Sequence, residues 1–141
     1  MPRRFIVSLL VLPVAQLALP MGVMSAGLEV GAPFPGETRE ITSDAEFEGI
    51  VVGGDADEEV GTLVISGGAQ VTSTVAYPNY GLQLGRVTGS LGIVSITGPG
   101  TTLTVNETTA VGSEGVGVLL VGDGARLETV RTTIGDSDQH V

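Results

Sequence analysis

From residue 61 onward the aliphatic side chains fall at alternate positions, in three blocks that superpose on one another. They are Gly61-Thr-Leu-Val-Ile-Ser-Gly-Gly-Ala-Gln-Val71, Gly92-Ile-Val-Ser-Ile-Thr-Gly-Pro-Gly-Thr-Thr-Leu103 and Gly117-Val-Leu-Leu-Val-Gly-Asp-Gly-Ala-Arg-Leu127. Each block opens on glycine and places aliphatic residues two and four positions later: Leu63 and Ile65, Val94 and Ile96, Leu119 and Val121. Side chains alternate across a strand, so each pair shares one face. A glycine then turns the chain (Gly68, Gly100, Gly124), a small residue follows (Ala69, Thr101, Ala125), and another aliphatic stands two places on (Val71, Leu103, Leu127). Pro99 is an extra residue in the second block and reads as a corner insertion.

A shorter signal recurs between the blocks, an aliphatic residue followed by glycine: Val52-Gly53, Leu84-Gly85, Val111-Gly112 and Ile134-Gly135. Each repeat therefore holds three short strand-like pieces separated by turns. The opening glycines lie 31 and then 25 residues apart, a spacing suited to solenoid coils. The expected fold is all-β, a short single-stranded parallel β-helix (β-solenoid) of about three to four coils, with the right-handed crossovers that parallel strands favour. One coil cannot bury its aliphatic face alone. Stacking the next pairs the backbones and sets Leu63 under Val94 and Val94 under Leu119, with Ile65, Ile96 and Val121 in the neighbouring ladder. The competing architecture is a small antiparallel sandwich, which has the same short strands and turn signals but no reason to repeat in sequence.

Outside the repeats the pattern changes. Arg3 and Arg4 precede an uncharged, mostly apolar run from Phe5 to Leu19, which leads to Ser25 and Ala26. That order is the one of a secretory signal peptide, here residues 1–26. Pro13 and Pro20 and the shortness of the run weigh against the other reading, a membrane anchor. Residues 27–48, with Pro33, Pro35 and several acids, are expected to cap or link to the repeats at 49–135, and 136–141 to form a frayed tail. The final repeat has no comparable cap, which predicts that it is frayed or covered by another molecule.

Charge narrows the partners. All 16 acids lie beyond Ala26, and loss of Arg3 and Arg4 with the leader takes the net charge from −10 to −12. Lysine is absent, and Arg39, Arg86, Arg126 and Arg131 are the only cations beyond the leader besides the single histidine. Nucleic acid and anionic membrane both require cationic side chains, so neither is an expected partner, and no membrane insertion follows removal of the leader. Cysteine is also absent, which excludes the disulfide staples common in small exported domains.

The units Gly-Thr-Leu-Val-Ile-Ser-Gly-Gly-Ala-Gln-Val (61–71), the Leu84-Gly85 type of pair, and the corner Gly98-Pro-Gly-Thr-Thr102 resemble the repeats of autotransporter passenger domains and of PEP-CTERM-type surface proteins. The resemblance spans about residues 50–135. It implies a β-solenoid on or outside the bacterial cell surface, in adhesion or envelope architecture, with no catalytic residues to carry over. Residues 1–141 contain neither an outer-membrane barrel pattern nor a Pro-Glu-Pro sorting motif. Release from the cell, or descent from a longer surface repeat protein as a fragment without a function of its own, is the corresponding expectation.

Candidate chemistry is sparse. Asp55, Asp57, Glu58 and Glu59 cluster between strand pieces, where a hard cation such as calcium takes carboxylate oxygens, although a solvated turn gives the same composition. Asp136 and Asp138 flank a later corner, and His140 is a lone histidine beside the C-terminus. Tyr77 and Tyr80, in the longest insertion, are the ligand-binding candidates of a carbohydrate-binding or carbohydrate-active alternative, as aromatics that stack on a sugar or meet a protein surface. A turn whose tyrosines fold down onto the flank of the solenoid is the favoured reading of the same residues. Asn106-Glu-Thr108 fits a glycosylation acceptor. No catalytic residue, cofactor or committed metal site emerges. The expected role is that of a non-catalytic structural or adhesion module. Its partners would be other solenoid repeats or a second copy end to end, or a surface glycan or protein.

Overall fold

Alternation predicts which residues enter the core, and Glu59–Ile65 illustrates it: Gly61, Leu63 and Ile65 are buried while Thr62 and Val64 are half-exposed. In a computed structural model, residues 24–54, 58–74 and 80–135 are described, and they contain thirteen strands and no helix. The first five are β1 (Met24–Ser25), β2 (Leu28–Val30), β3 (Ala32–Pro33), β4 (Glu37–Ile41) and β5 (Ala45–Phe47). There follow β6 (Ile50–Val52), β7 (Glu59–Ile65), β8 (Gln70–Ser73), β9 (Leu82–Leu84) and β10 (Leu91–Thr97). The last three are β11 (Thr102–Val111), β12 (Val116–Gly122) and β13 (Arg126–Ile134).

They form two sheets. One has the order β1-β5-β8-β11-β9-β6-β2, with β13 also on β11; the other has the order β12-β10-β7-β3, with β4 also on β7. Every pairing is parallel except the short β3–β7 contact of Ala32 and Pro33 with Val60 and Glu59. The antiparallel sandwich is thereby excluded for these residues. The first sheet is two ladders joined, because β11 pairs with β8 through residues 102–105 and with β9 through residues 109–111.

The registers bring like residues together. Val94 lies opposite Leu63 on one side and Leu119 on the other; Ile96 lies between Ile65 and Val121. Leu103 lies between Val71 and Leu127. The aliphatic-glycine pairs align as a fourth column, Val30, Val52, Leu84, Val111 and Ile134. The turns after β7, β10 and β12 repeat too: Gly68, Gly100 and Gly124 share φ values of 82–83°, a left-handed conformation that glycine enters without steric cost. The corner from Ile96 to Thr102 holds one residue more than that from Ile65 to Gln70, as Pro99 predicts. Val105–Thr108 opposite Thr129–Arg131 is a bulge, which absorbs Asn106 and Glu107 without breaking the register that follows.

The stretch 27–48 supplies strands to all three ladders: β2 to β6, β4 to β7 and β5 to β8. The core runs from Leu28 to Val105, with Leu119, Ala125 and Leu127 packed against it from the last layer. Ser73, Ser90, Thr101 and Thr109 bring buried hydroxyls to the interior. Ser73 donates from Oγ to the Gly81 carbonyl (2.7 Å), and Thr109 meets Thr129 hydroxyl to hydroxyl at 2.9 Å.

Candidate functional site

The acidic candidates lie between β6 and β7. Asp55 and Asp57 fall outside the described residues, so the site is built from Glu58 and Glu59. Glu58 is exposed with a φ of 64°, while Glu59 opens β7 and is half-buried. A turn residue in a left-handed conformation followed by a strand residue sends successive side chains in different directions. The Glu58 backbone nitrogen therefore lies beside Gly89, whereas the Glu59 carboxylate sits over Gly31, where a side chain would collide with its Oε1. The two neighbours lie on opposite sides of β7's layer. Among the described residues no group of three or more His, Cys, Asp or Glu side chains has metal-binding geometry.

Glu59 shares a recess with Glu29, Val30, Gly31, Val51 and Gly54, about 170 Å³ in volume. Ligand pockets for small molecules run to roughly 300–1,000 Å³, so this one suits water or a small polar group. Its walls follow from the fold: Val30 and Val51 come from paired strands, and Gly31 and Gly54 leave the floor open. The Gly31 nitrogen donates to Glu37 Oε2 at 2.9 Å, and Arg86 Nε donates to the Gly54 carbonyl at 2.9 Å. Glu29, Glu59 and Arg86 each have an interaction partner, so none is a free charge awaiting a ligand. Sequence reasoning passed over Glu29 and Gly31. The signal was there, since Val30-Gly31 repeats the Val52-Gly53 pair and Val30 stands opposite Val52.

Tyr77 lies outside the described residues, as do Asp136, Asp138 and His140. Tyr80 is half-buried at the end of the excursion between β8 and β9, next to Gly81. The foot of that excursion is pinned. Ser73 Oγ holds the Gly81 carbonyl, Gly81 N donates to the Thr108 carbonyl at 3.0 Å, and Thr74 N donates to the Phe47 carbonyl at 2.8 Å. Tyr80 thus stands next to a pinned backbone, with its side chain half-buried. Asn106 is exposed on the bulge of β11, the position that a glycosylation acceptor needs.

Facing outward, the ladders present Thr62, Val64, Ile93, Ser95, Thr104 and Glu128, half-exposed or exposed. The outward positions of β6, β9 and β11 differ: Val51, Gln83 and Ala110 stand in register and all three are buried. Gln83 Oε1 has no hydrogen-bond partner there. No protein-family model, curated protein or solved structure matches the chain.

Proposed function

We propose that this chain is an exported, right-handed parallel β-solenoid, acting as a non-catalytic spacer or adhesion module at or beyond a bacterial cell surface. The observation that carries the architecture is register. Columns such as Val30-Val52-Leu84-Val111-Ile134 pass through five successive strands without a slip. One chain winding in one direction produces such columns, and each ladder then repeats at the same three places of the winding. Right-handedness follows from the crossover preference of parallel strands. Export rests on the leader-like residues 1–26, and the surface role on the resemblance to passenger-domain repeats. The outward Thr, Ser and acidic side chains suit a solvated rod.

Expression in a bacterial host with the native leader tests the export reading. The expected product is a processed chain beginning at Gly27, recovered outside the cytoplasm; an intact chain retained in the cytoplasm overturns it. A glycan array on the same material addresses the carbohydrate-binding alternative. Specific binding that is lost on Tyr80→Ala would replace the spacer reading with the ligand-binding one.

A further inference from the structure

The two ends of the stack are built differently. In β4, the residues opposite Gly61 and Leu63 are Glu37 and Arg39, joined by an ion pair at 2.6 Å. Their partners in β10 and β12 at the same places are Gly92 and Gly117, Val94 and Leu119. The first layer therefore closes the Gly61 and Leu63 columns with charge, a device that discourages addition of a further strand there. The last layer does the opposite. Val30 and Ile41, which head two columns, are each 1% exposed, but Ile134 and Val121, which end them, are 82% and 44% exposed. Among the described residues β12 pairs with β10 alone and β13 with β11 alone, so each presents a backbone edge that no described strand pairs.

We infer that this open end docks the same end of a second copy, giving a tail-to-tail dimer with a two-fold axis across the last layer. The inference rests on the ladders and is independent of export or surface role. A two-fold contact needs one self-complementary surface, and β12 supplies one. With the axis at Leu119, antiparallel β12 strands set Leu119 opposite Leu119 and Gly117 opposite Val121, small against large. The same axis exchanges the two halves of β13 and sets Leu127 opposite Ile134 and Thr129 opposite Thr132. In-register head-to-tail stacking would bury Arg39 against Leu119 and Glu37 against Gly117, an expensive removal of charge from water. Local charge permits the tail-to-tail approach. Two of the four arginines beyond the leader, Arg126 and Arg131, lie on β13, and they nearly balance Glu114, Asp123 and Glu128 within residues 112–135.

Because the chain has no cysteine, single cysteines report the geometry directly. Leu119→Cys is expected to cross-link to itself under mild oxidation, since directly opposed Cβ atoms in an antiparallel pair lie about 4.5–5.5 Å apart. Thr38→Cys, at the charged end, is expected to stay monomeric alone and to form no mixed product with Val118→Cys, the last residue of its own register column. Adding Val121→Asp to Leu119→Cys should abolish the product while circular dichroism stays that of folded β structure. Sedimentation of the full chain should show a monomer–dimer equilibrium that shifts toward dimer with added salt, as screening relieves the repulsion of the net charge. A folded monomer at every concentration and salt level overturns the inference. So does a mixed 38–118 product, which is head-to-tail, or a 119–119 cross-link indifferent to Val121→Asp.

Discussion

Ile96 stands directly opposite Ile65 in the parallel register of β7 and β10, and both side chains are wholly buried. Val121 continues the same column on the other side of Ile96 yet is 44% exposed. Truncation should therefore cost very different amounts along one column. Ile96→Ala is expected to destabilise by about 2–5 kcal/mol, the range for buried aliphatic residues reduced to alanine. Val121→Ala should cost less than about 1 kcal/mol, because nearly half of its surface is still in water. Urea unfolding of the two variants measures the difference, and equal losses would contradict a core that thins toward β12.

The columns were legible in the sequence wherever the strand period ran undisturbed. Leu63, Val94 and Leu119 align by eye, and so do the aliphatic-glycine pairs, because period-two patterning and turn glycines are local properties. The Glu37–Ile41 strand was not legible as a ladder member. Its inward positions carry Glu37 and Arg39 where the repeats carry glycine and an aliphatic residue, so it fails the pattern while keeping the register. Ser73 and Thr109 escaped for a related reason. They replace aliphatic residues at interior positions, and only the pairings with Gly81 and Thr129 show why a hydroxyl is tolerated there. Of the candidate site, the Glu29–Glu59 recess depends on residues far apart in sequence meeting across layers, which no local pattern encodes.

Two glycines should separate close packing from mere composition. A methyl group on Gly92 would run into the carbonyl oxygen of Val52 and come within 2.7 Å of the Gly85 nitrogen. Backbone on both sides cannot yield, so Gly92→Ala is expected to destabilise by about 1–3 kcal/mol, as overpacked sites do. Gly122, at the end of β12, has no atom within 4 Å of the same added carbon. Gly122→Ala should stay within about 0.5 kcal/mol of the parent. Thermal melts of the pair give the answer, and a neutral Gly92→Ala would mean that β10 does not approach the Val52 turn so closely.

Gln83 offers a stabilising change. It is 3% exposed, its Oε1 lacks a hydrogen-bond partner, and its register neighbours are the apolar Val51 and Ala110. A buried unsatisfied amide oxygen carries a desolvation penalty of about 1–3 kcal/mol. Gln83→Leu or Gln83→Met keeps the volume and removes that penalty, so the melting temperature should rise. A fall in melting temperature with both substitutions would indicate that the amide holds a bound water or ligand.

Arg39 sets the most discriminating test, because it separates stability from end chemistry. Its ion pair with Glu37 is about a quarter exposed on each side chain (27% and 29%), and such partly screened pairs contribute no more than about 1 kcal/mol. Leucine at this place would extend the column of Leu63, Val94 and Leu119 by one member and regain part of that loss through apolar burial. The unfolding midpoint of Arg39→Leu should therefore move little. The end of the stack, however, loses one of its two inward charges, and a strand edge with fewer inward charges pairs more readily. Placing Arg39→Leu on a Val121→Asp background removes association through β12 and leaves the opposite end as the only altered surface. Sedimentation of the double variant is expected to show oligomers that Val121→Asp alone lacks. If the double variant instead remains monomeric, Arg39 is not what keeps the first layer from accepting another strand.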